Sequence, residues 1–329
     1  MRIRELPPRM WGDVQRVVDR LPVGMSCVAT GSLVEGLGNP NSDVDLYLLA
    51  EEGSAGHSPS IGLRRTHYVD CEQMTLGALD RLRTVVHGCV WSSLDAVGLR
   101  GIDRYYRVSI SIPIRVSERA AAVVGGFDKA VACAVFGRYA SLRAYEAMAR
   151  GACAVAVGSC HEAGLLLREA SLWHAAHQLA IDGEGYPALK WTAEKAARKY
   201  GRDSARFQEV VDDCVRPNGT PASHLERLRR ALDVPAELYT MLGERSAGLI
   251  DGVRVFGDAS CAFLIKSDNS IIMASGRVAS VCLRLAAGAS WIEAVAALPA
   301  QPGTAVGELR TAVWCDTHYL RQQGYLSTR

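Results

Sequence analysis

The sequence predicts an α/β or α+β domain, then a helical bundle, then a small module of strands and helices. Three observations carry this. Short apolar segments alternate with stretches of helical spacing up to about residue 120. From Gly125 onward Ala, Leu and Arg dominate long helical stretches. Beyond Arg245 short strand-like segments return. The expected domains are therefore 1–120, 121–245 and 246–329.

In chain order, Met10, Val14, Val17, Val18 and Leu21 fall at helical spacing within "RMWGDVQRVVDRL". "VGMSCVATG" reads as a strand that ends at a Gly-Ser turn, and "DVDLYLLA" as a second strand. In "RRTHYVDCEQMT", His67, Val69 and Cys71 alternate with Tyr68, Asp70 and Glu72, which predicts a third. A helix is expected around 75–90, and another strand at "YYRVSISIPIRV". The stretches 127–158 and 161–183 read as long helices, the second stopped by Gly183 and Gly185. "ALKWTAEKAARKYG" is a further helix, and "PNGTPA" at 217–222 a loop. In the tail, "GVRVFGDASCAFLIKSDNSIIMAS" reads as strands with a turn at Asp268-Asn269. Helices then follow at "RVASVCLRLAAG", "SWIEAVAAL" and a last run ending in "HYLRQQGYL". Phe256, Phe263, Ile265, Leu283, Leu285, Trp291, Val295, Leu298, Leu320 and Leu326 are the expected core of this tail.

Composition narrows the function. The chain has 329 residues, is 49% hydrophobic and 22% charged, and carries a net charge of +2. That charge is too small to argue for a non-specific polyanion partner. The start, "MRIRELPPRMWG", lacks the apolar core of a signal peptide, and no run reaches the length of a membrane span. The ten cysteines show no C-x-x-C and no zinc spacing, so they are expected to be free thiols in a reducing cytoplasm, mostly small core residues.

The informative stretch is "GSLVEGLGNPNSDVDLYLLA", Gly31 to Ala50. Residues i and i+2 of a strand share a face, so Asp43 and Asp45 project together. Asp70 reaches the same spot if its strand pairs with theirs in register. Like charges about 4 Å apart repel by about 4 kcal/mol at an effective dielectric of 20. A hard divalent cation relieves this directly, and oxygen-only ligands suit Mg²⁺. Gly31 lets backbone approach an anion closely. Ser32 and Glu35 form an S-x-x-E capping-box pattern, and a helix N-terminus attracts anions.

Gly31-Ser32, ten intervening residues and Asp43-Val44-Asp45 in an apolar strand resemble the signature of the polymerase-β-like nucleotidyltransferase superfamily. The resemblance covers residues 24–72 and implies a mixed sheet flanked by helices. It implies Mg²⁺, two ions, and transfer of a nucleoside monophosphate from ATP or another nucleoside triphosphate with release of pyrophosphate. By the same resemblance Gly31 and Ser32 would hold the triphosphate, and Asp43 and Asp45 the metals. Asp70 would share a metal and act as general base, with Glu72 the alternative third carboxylate.

"LLREASLWHAAHQLAIDGEGYPALKW" resembles the helical bundle that follows this domain in antibiotic adenylyltransferases. That likeness would bring Lys190 to the triphosphate; the alternative is a solvated lysine at a helix start. Trp173, His174 and His177 either line the acceptor pocket or belong to the core and its rim, the second being favoured. The tail, from "LIKSDNS" to "LRQQGYL", is similar to winged-helix modules of the PqqD type, which bind leader peptides by strand addition. A winged helix used for packing or dimerisation is the competing reading. A homodimer is open, since related enzymes can build sites across dimers.

Three functions compete. The first is a nucleotidyltransferase acting on a small molecule or peptide. The second acts on RNA, against which the near-neutral charge and the lack of a long Lys/Arg stripe count. The third is a catalytically inactive nucleotide-binding module, against which the three intact carboxylates count.

Overall fold

The structure is a computed structural model describing residues 8–39, 42–51, 60–63, 68–215, 219–299 and 303–328. His67 and the rest of 64–67, assigned above to the third strand, lie outside them. So do Pro40 and Asn41 of the return loop and Pro217 and Asn218 of the 217–222 loop. The chain divides into two compact units, Met1–Ala140 with Ala175–Val210, and Ser141–His174 with Val211–Arg329. The limits between the two units fall inside helices.

The first unit contains α1 (Pro8–Val18), β1 (Ser26–Thr30), α2 (Gly31–Val34), β2 (Val44–Ala50), β3 (Ser60–Leu63) and β4 (Tyr68–Thr75). It continues with α3 (Leu76–His87), α4 (Leu94–Ser109), β5 (Ile112–Arg115), α5 (Glu118–Val124) and the start of α6 (Lys129–Ala156). The end of α7 (Cys160–Ile181), α8 (Thr192–Tyr200) and the first turns of α9 (Ala205–Val215) complete it. The strands form one mixed sheet in the order β3-β4-β2-β1-β5, with β2 and β4 parallel and the other pairs antiparallel. β2 is central, which explains the apolar run from Leu46 to Ala50 that follows Asp45: both faces are covered there, so the sequence need not alternate. Met10, Val14 and Val18 of α1 pack with Cys27, Ala29, Leu33, Val44, Leu46, Val69 and Cys71.

Two expectations fail in this unit. The "YYRVS" part of the expected strand, Tyr105–Ser109, is helix, the end of α4, and only Ile112–Arg115 is strand. Ile102, Tyr105 and Tyr106 are buried together at helical spacing, so tertiary burial overrides the strand preference of Tyr and Val. The capping box is also absent. α2 starts at Gly31 with Thr30 as its N-cap, so Ser32 is already inside the helix. Glu35 is its C-terminal cap, and the Glu35 carboxylate turns to Lys129 and Arg198.

The second unit holds the remainder of α6, α7 and α9, then α10 (Pro221–Ala231) and α11 (Ala236–Glu244). Next come β6 (Ala247–Leu249), β7 (Arg254–Gly257), β8 (Cys261–Ile265) and β9 (Ile271–Ser275). The chain closes with α12 (Gly276–Ala286), α13 (Trp291–Ala296), α14 (Val306–Asp316), α15 (His318–Gln322) and β10 (Leu326–Thr328). β7, β8 and β9 form an antiparallel sheet, and β10 pairs with β6. The turn at Asp268-Asn269 is present, with Asn269 at φ +64°. The expected tail core is half correct. Trp291, Val295, Leu298, Leu320 and Leu326 are buried, but Phe256 and Phe263 are 52% and 44% exposed. Ala262 and Leu264 take the inner face of β8 instead. Strand side chains alternate, so reading the larger Phe263 and Ile265 as core picked the wrong face.

All ten cysteines are free and seven are buried. Among the described residues no single helix is long and apolar enough to cross a membrane; the bent pair Glu118–Val124 and Lys129–Ala156 has the length and composition, with a 44° break.

Candidate active site

The site lies at one end of the central strands, entirely within the first unit. In the parallel pair of β2 and β4, Asp45 stands directly opposite Asp70. Asp43 immediately precedes β2. One carboxylate oxygen from each of Asp43, Asp45 and Asp70 lies within 4.8 Å of the others. Asp43 is exposed, Asp70 half-buried and Asp45 buried. Glu72 is not in this cluster. It is hydrogen-bonded to Arg104, with Arg100 3.8 Å away.

Gly31 forms the wall on the β1 side. Thr30 pairs with Asp45 across β1 and β2, so the turn after β1 sits against that carboxylate. Gly31 has φ +84°, which favours glycine. A Cβ placed there would lie 2.6 Å from Asp45 Cγ and collide with Oδ2. Asp45 therefore fills the space that a side chain on the turn would need. Ser32 is buried, and its carbonyl accepts hydrogen bonds from the amides of Leu37 and Gly38, which folds the return loop over α2.

Arg107, near the end of α4, supplies the positive charge. Its Nη1 donates to Asp45 Oδ1 at 3.0 Å, and its Nε lies 2.9 Å from Asp103 Oδ2. Thr30 Oγ1 donates to the Arg107 carbonyl at 2.6 Å, anchoring the helix end to β1. Burial pushes the Asp45 pKa up to about 6; Arg107 pulls it down, while the charges of Asp43 and Asp70 add to the rise. Burial also raises the pKa of Asp103.

A charged network fixes the other side of α2. Lys129 Nζ donates to Glu35 at 2.8 Å. Arg198 of α8 donates to the Glu35 carboxylate at 3.0 Å and to its carbonyl at 2.6 Å, and also bonds Glu184. On the same helix as Arg198, Lys195 is fully buried and donates to the Tyr186 carbonyl at 2.8 Å; burial lowers its pKa to about 8. A cleft of about 560 Å³ is lined by Gly36, Leu37, Gly38 and Asn39 on the loop and by Trp191, Arg198 and Arg202 of the α8 region. Lys190 is exposed on the turn before α8, its Nζ 5.5 Å from the centre of the Trp191 ring.

Trp173 is buried, and His177 Nδ1 is hydrogen-bonded to the Gly137 carbonyl at 2.9 Å, both as expected of packing residues. Sequence reasoning missed Arg107, Asp103 and the Glu35–Lys129–Arg198 network. The i,i+4 spacing of Asp103 and Arg107 was the available signal, since such a pair belongs on a helix.

The donor set suits a hard cation. It consists of carboxylate oxygens only, with no sulfur or imidazole. Opposite oxygens on one Mg²⁺ are about 4.2 Å apart, twice the Mg–O distance, so the three groups are already near the required spacing.

No family model and no curated protein matches the chain. Among solved structures the chain is similar to a nucleotidyltransferase-like protein from Exiguobacterium sibiricum 255-15, at 11% sequence identity and a TM-score of 0.31, the match covering 75% of this chain and 81% of that one.

Proposed function

We propose that the chain is a nucleotidyltransferase that moves a nucleoside monophosphate, AMP from ATP, to an acceptor group on a small molecule or peptide, releasing pyrophosphate. The observation that carries this reading is the convergence of Asp43, Asp45 and Asp70 beside a glycine turn where Asp45 leaves no room for a side chain. Three carboxylates held together without a cation repel one another, and the fold tolerates this where a cation-dependent reaction needs it. Asp43, Asp45 and Asp70 would hold Mg²⁺, which supplies charge neutralisation for phosphoryl oxygens and alignment of attacking and leaving groups. Asp70, half-buried and opposite Asp45, takes the acceptor's proton on a carboxylate oxygen. Gly31 and Ser32 bind the triphosphate through the short helix they begin, and Lys190 adds a charge from the turn before α8. The network around Glu35 ties α8 to α2 and so orients Lys190 and Trp191 relative to the glycine turn.

The test is incubation of the protein with each labelled nucleoside triphosphate, Mg²⁺ and a host-cell extract, followed by mass analysis of what gained a nucleotide. One acceptor gaining a nucleoside monophosphate, and failing to with Asp45→Ala, is the expected result. Equal labelling by Asp45→Ala, or no labelled product with any triphosphate, would sink the proposal.

A further inference from the structure

We infer that the outer face of the β7-β8-β9 sheet docks a second copy of this chain, turned over so that the two sheets stack face to face with their strands antiparallel.

Strand alternation divides the sheet into two faces. Val255, Ala262, Leu264, Ile272 and Ala274 belong to the core shared with α12. The residues between them form the other face. Phe256, Phe263 and Met273 stand opposite one another in one row across the strands. Arg254, Ile265 and Ile271 make the next row. Phe256, Phe263, Ile271 and Met273 are 52%, 44%, 62% and 64% exposed. At roughly 200 Å² for a large side chain, this leaves about 400 Å² of contiguous apolar surface on water. Two such faces stacked, rims included, remove about 1,000 Å² in total, the lower limit of a specific interface.

The charges at the rim select the occupant. Asp258 and Cys261 exchange backbone hydrogen bonds at 2.9 and 3.2 Å, so the register of β7 and β8 continues to the turn. Asp258 therefore ends the outward series that Arg254 and Phe256 begin. The Arg254 guanidinium carbon lies 5.9 Å from the centre of the Phe256 ring. One edge strand thus carries a cation at one end, an anion at the other and an aromatic ring between. A two-fold axis along the row of Phe256, Phe263 and Met273 lays β7 on its copy in reverse. Each Arg254 then meets the partner's Asp258, and Phe263 meets its own copy at the axis, with the sheets at the usual spacing of about 10 Å. Within the turn, Ser260 and the Cys261 amide donate to Asp258 Oδ1, which leaves Oδ2 for the guanidinium. A lipid surface or a polyanion carries one sign of charge and would meet Asp258 as a like charge. A face with opposite charges at its two ends is complementary to itself reversed.

Sedimentation velocity of the full chain without nucleotide, from about 1 to about 200 μM, tests this independently of any activity. Over that range the natural chain is expected to pass from monomer to dimer. Phe263→Thr removes the central contact from both copies and is expected to weaken dimerisation by about thirtyfold or more. Arg254→Glu and Asp258→Lys are each expected to dimerise about tenfold more weakly alone. Their equimolar mixture is expected to recover the natural affinity, because every end again meets its opposite. A natural chain that stays monomeric throughout overturns the inference, and one that instead binds phosphatidylserine vesicles assigns the face to a membrane and overturns it equally. A dimer that Phe263→Thr leaves intact also overturns it, since the copies then meet elsewhere. If Phe263→Thr does not fold, the charge variants decide alone: no weakening, or weakening without recovery in the mixture, overturns the inference.

Discussion

Gly31 and Asp45 occupy one another's space: the carboxylate of Asp45 stands where a side chain on residue 31 would begin. The two are brought together by the pairing of Thr30 with Asp45 across β1 and β2. Gly31→Ala therefore carries two penalties. The left-handed backbone costs about 1–2 kcal/mol for a residue with a Cβ, and the Asp45 carboxylate must also move. We expect a loss of about 2 kcal/mol or more in urea unfolding, together with at least tenfold weaker Mn²⁺ binding. A variant that keeps Mn²⁺ affinity would show that the site tolerates a displaced Asp45.

The buried Asp45 gives the metal-free protein a defined pH dependence. Its pKa is raised to about 6 in the folded chain, from 3.8. The folded state thus holds this proton more tightly than the unfolded state. The associated stability is full at low pH and is lost as pH rises from about 4 through 6. Asp45→Asn removes this loss and is expected to be more stable than the natural chain at pH 7.5, by up to about 3 kcal/mol, with no difference below pH 4. Cation affinity runs the other way, rising through pH 6 as the carboxylate ionises. Urea titrations with chelator at pH 5, 6 and 7.5 check the first part. An Asn variant less stable than the natural chain at pH 7.5 would refute it.

Asp70 and Glu72 separate cleanly in their expected effects. Asp70 belongs to the carboxylate cluster, whereas Glu72 is bonded to Arg104. Under the proposed reaction Asp70→Asn lowers turnover about 10²- to 10⁴-fold, with a smaller effect on triphosphate binding. Glu72→Gln removes a partly exposed ion pair worth about 0–1 kcal/mol and leaves turnover within a few-fold. Single-turnover rates of the two variants decide the matter, and the reverse order would make Glu72 the reacting carboxylate.

The site's acidic half was legible because it is local. A glycine turn, a short gap and an i,i+2 pair on an apolar strand are all visible within "GSLVEGLGNPNSDVDLYLLA". The partnership of Asp45 with Asp70 depended on strand register, which a sequence constrains only through its apolar pattern. The basic half was not legible. Arg107 sits in "YYRVSIS", where aromatic and β-branched residues favour a strand, and the helix emerges from burial of Ile102, Tyr105 and Tyr106. The Glu35–Lys129–Arg198 contacts join residues far apart in the chain, and no local pattern encodes them. In the tail, Ala262 and Leu264 rather than Phe263 face inward, because the alternation of β8 puts them on the face packed with Ala279, Val281 and Cys282 of α12. Hydrophobicity alone ranks those two faces the wrong way round.

Glu308 makes the last prediction, which concerns the second unit. Its side chain accepts from Arg229 Nε at 2.9 Å and Nη2 at 2.7 Å, and from the Ala305 amide at 3.0 Å. It is 5% exposed, so it joins the start of α14 to α10 through a largely buried, two-pronged ion pair. Asp316 likewise accepts from Arg277 at 2.7 Å and lies 3.4 Å from Arg150 on α6. Ending the chain after Arg245 would remove both acids and leave Arg229 and Arg150 without these partners. It would also remove the apolar core built on Leu264, Val281, Trp291 and Val313. The shortened chain is expected to aggregate or change its mass by light scattering, although every carboxylate of the candidate site is retained. Glu308→Ala tests the ion pair without truncation. Breaking a buried pair costs about 3–5 kcal/mol; Arg229 is a quarter exposed, so roughly 2–3 kcal/mol is expected. Double substitution with Arg229→Met should recover part of this loss, because it removes the stranded charge. If Glu308→Ala unfolds at the same urea concentration as the natural chain, the pair does not hold α14 to α10, and the predicted behaviour of the shortened chain loses its basis.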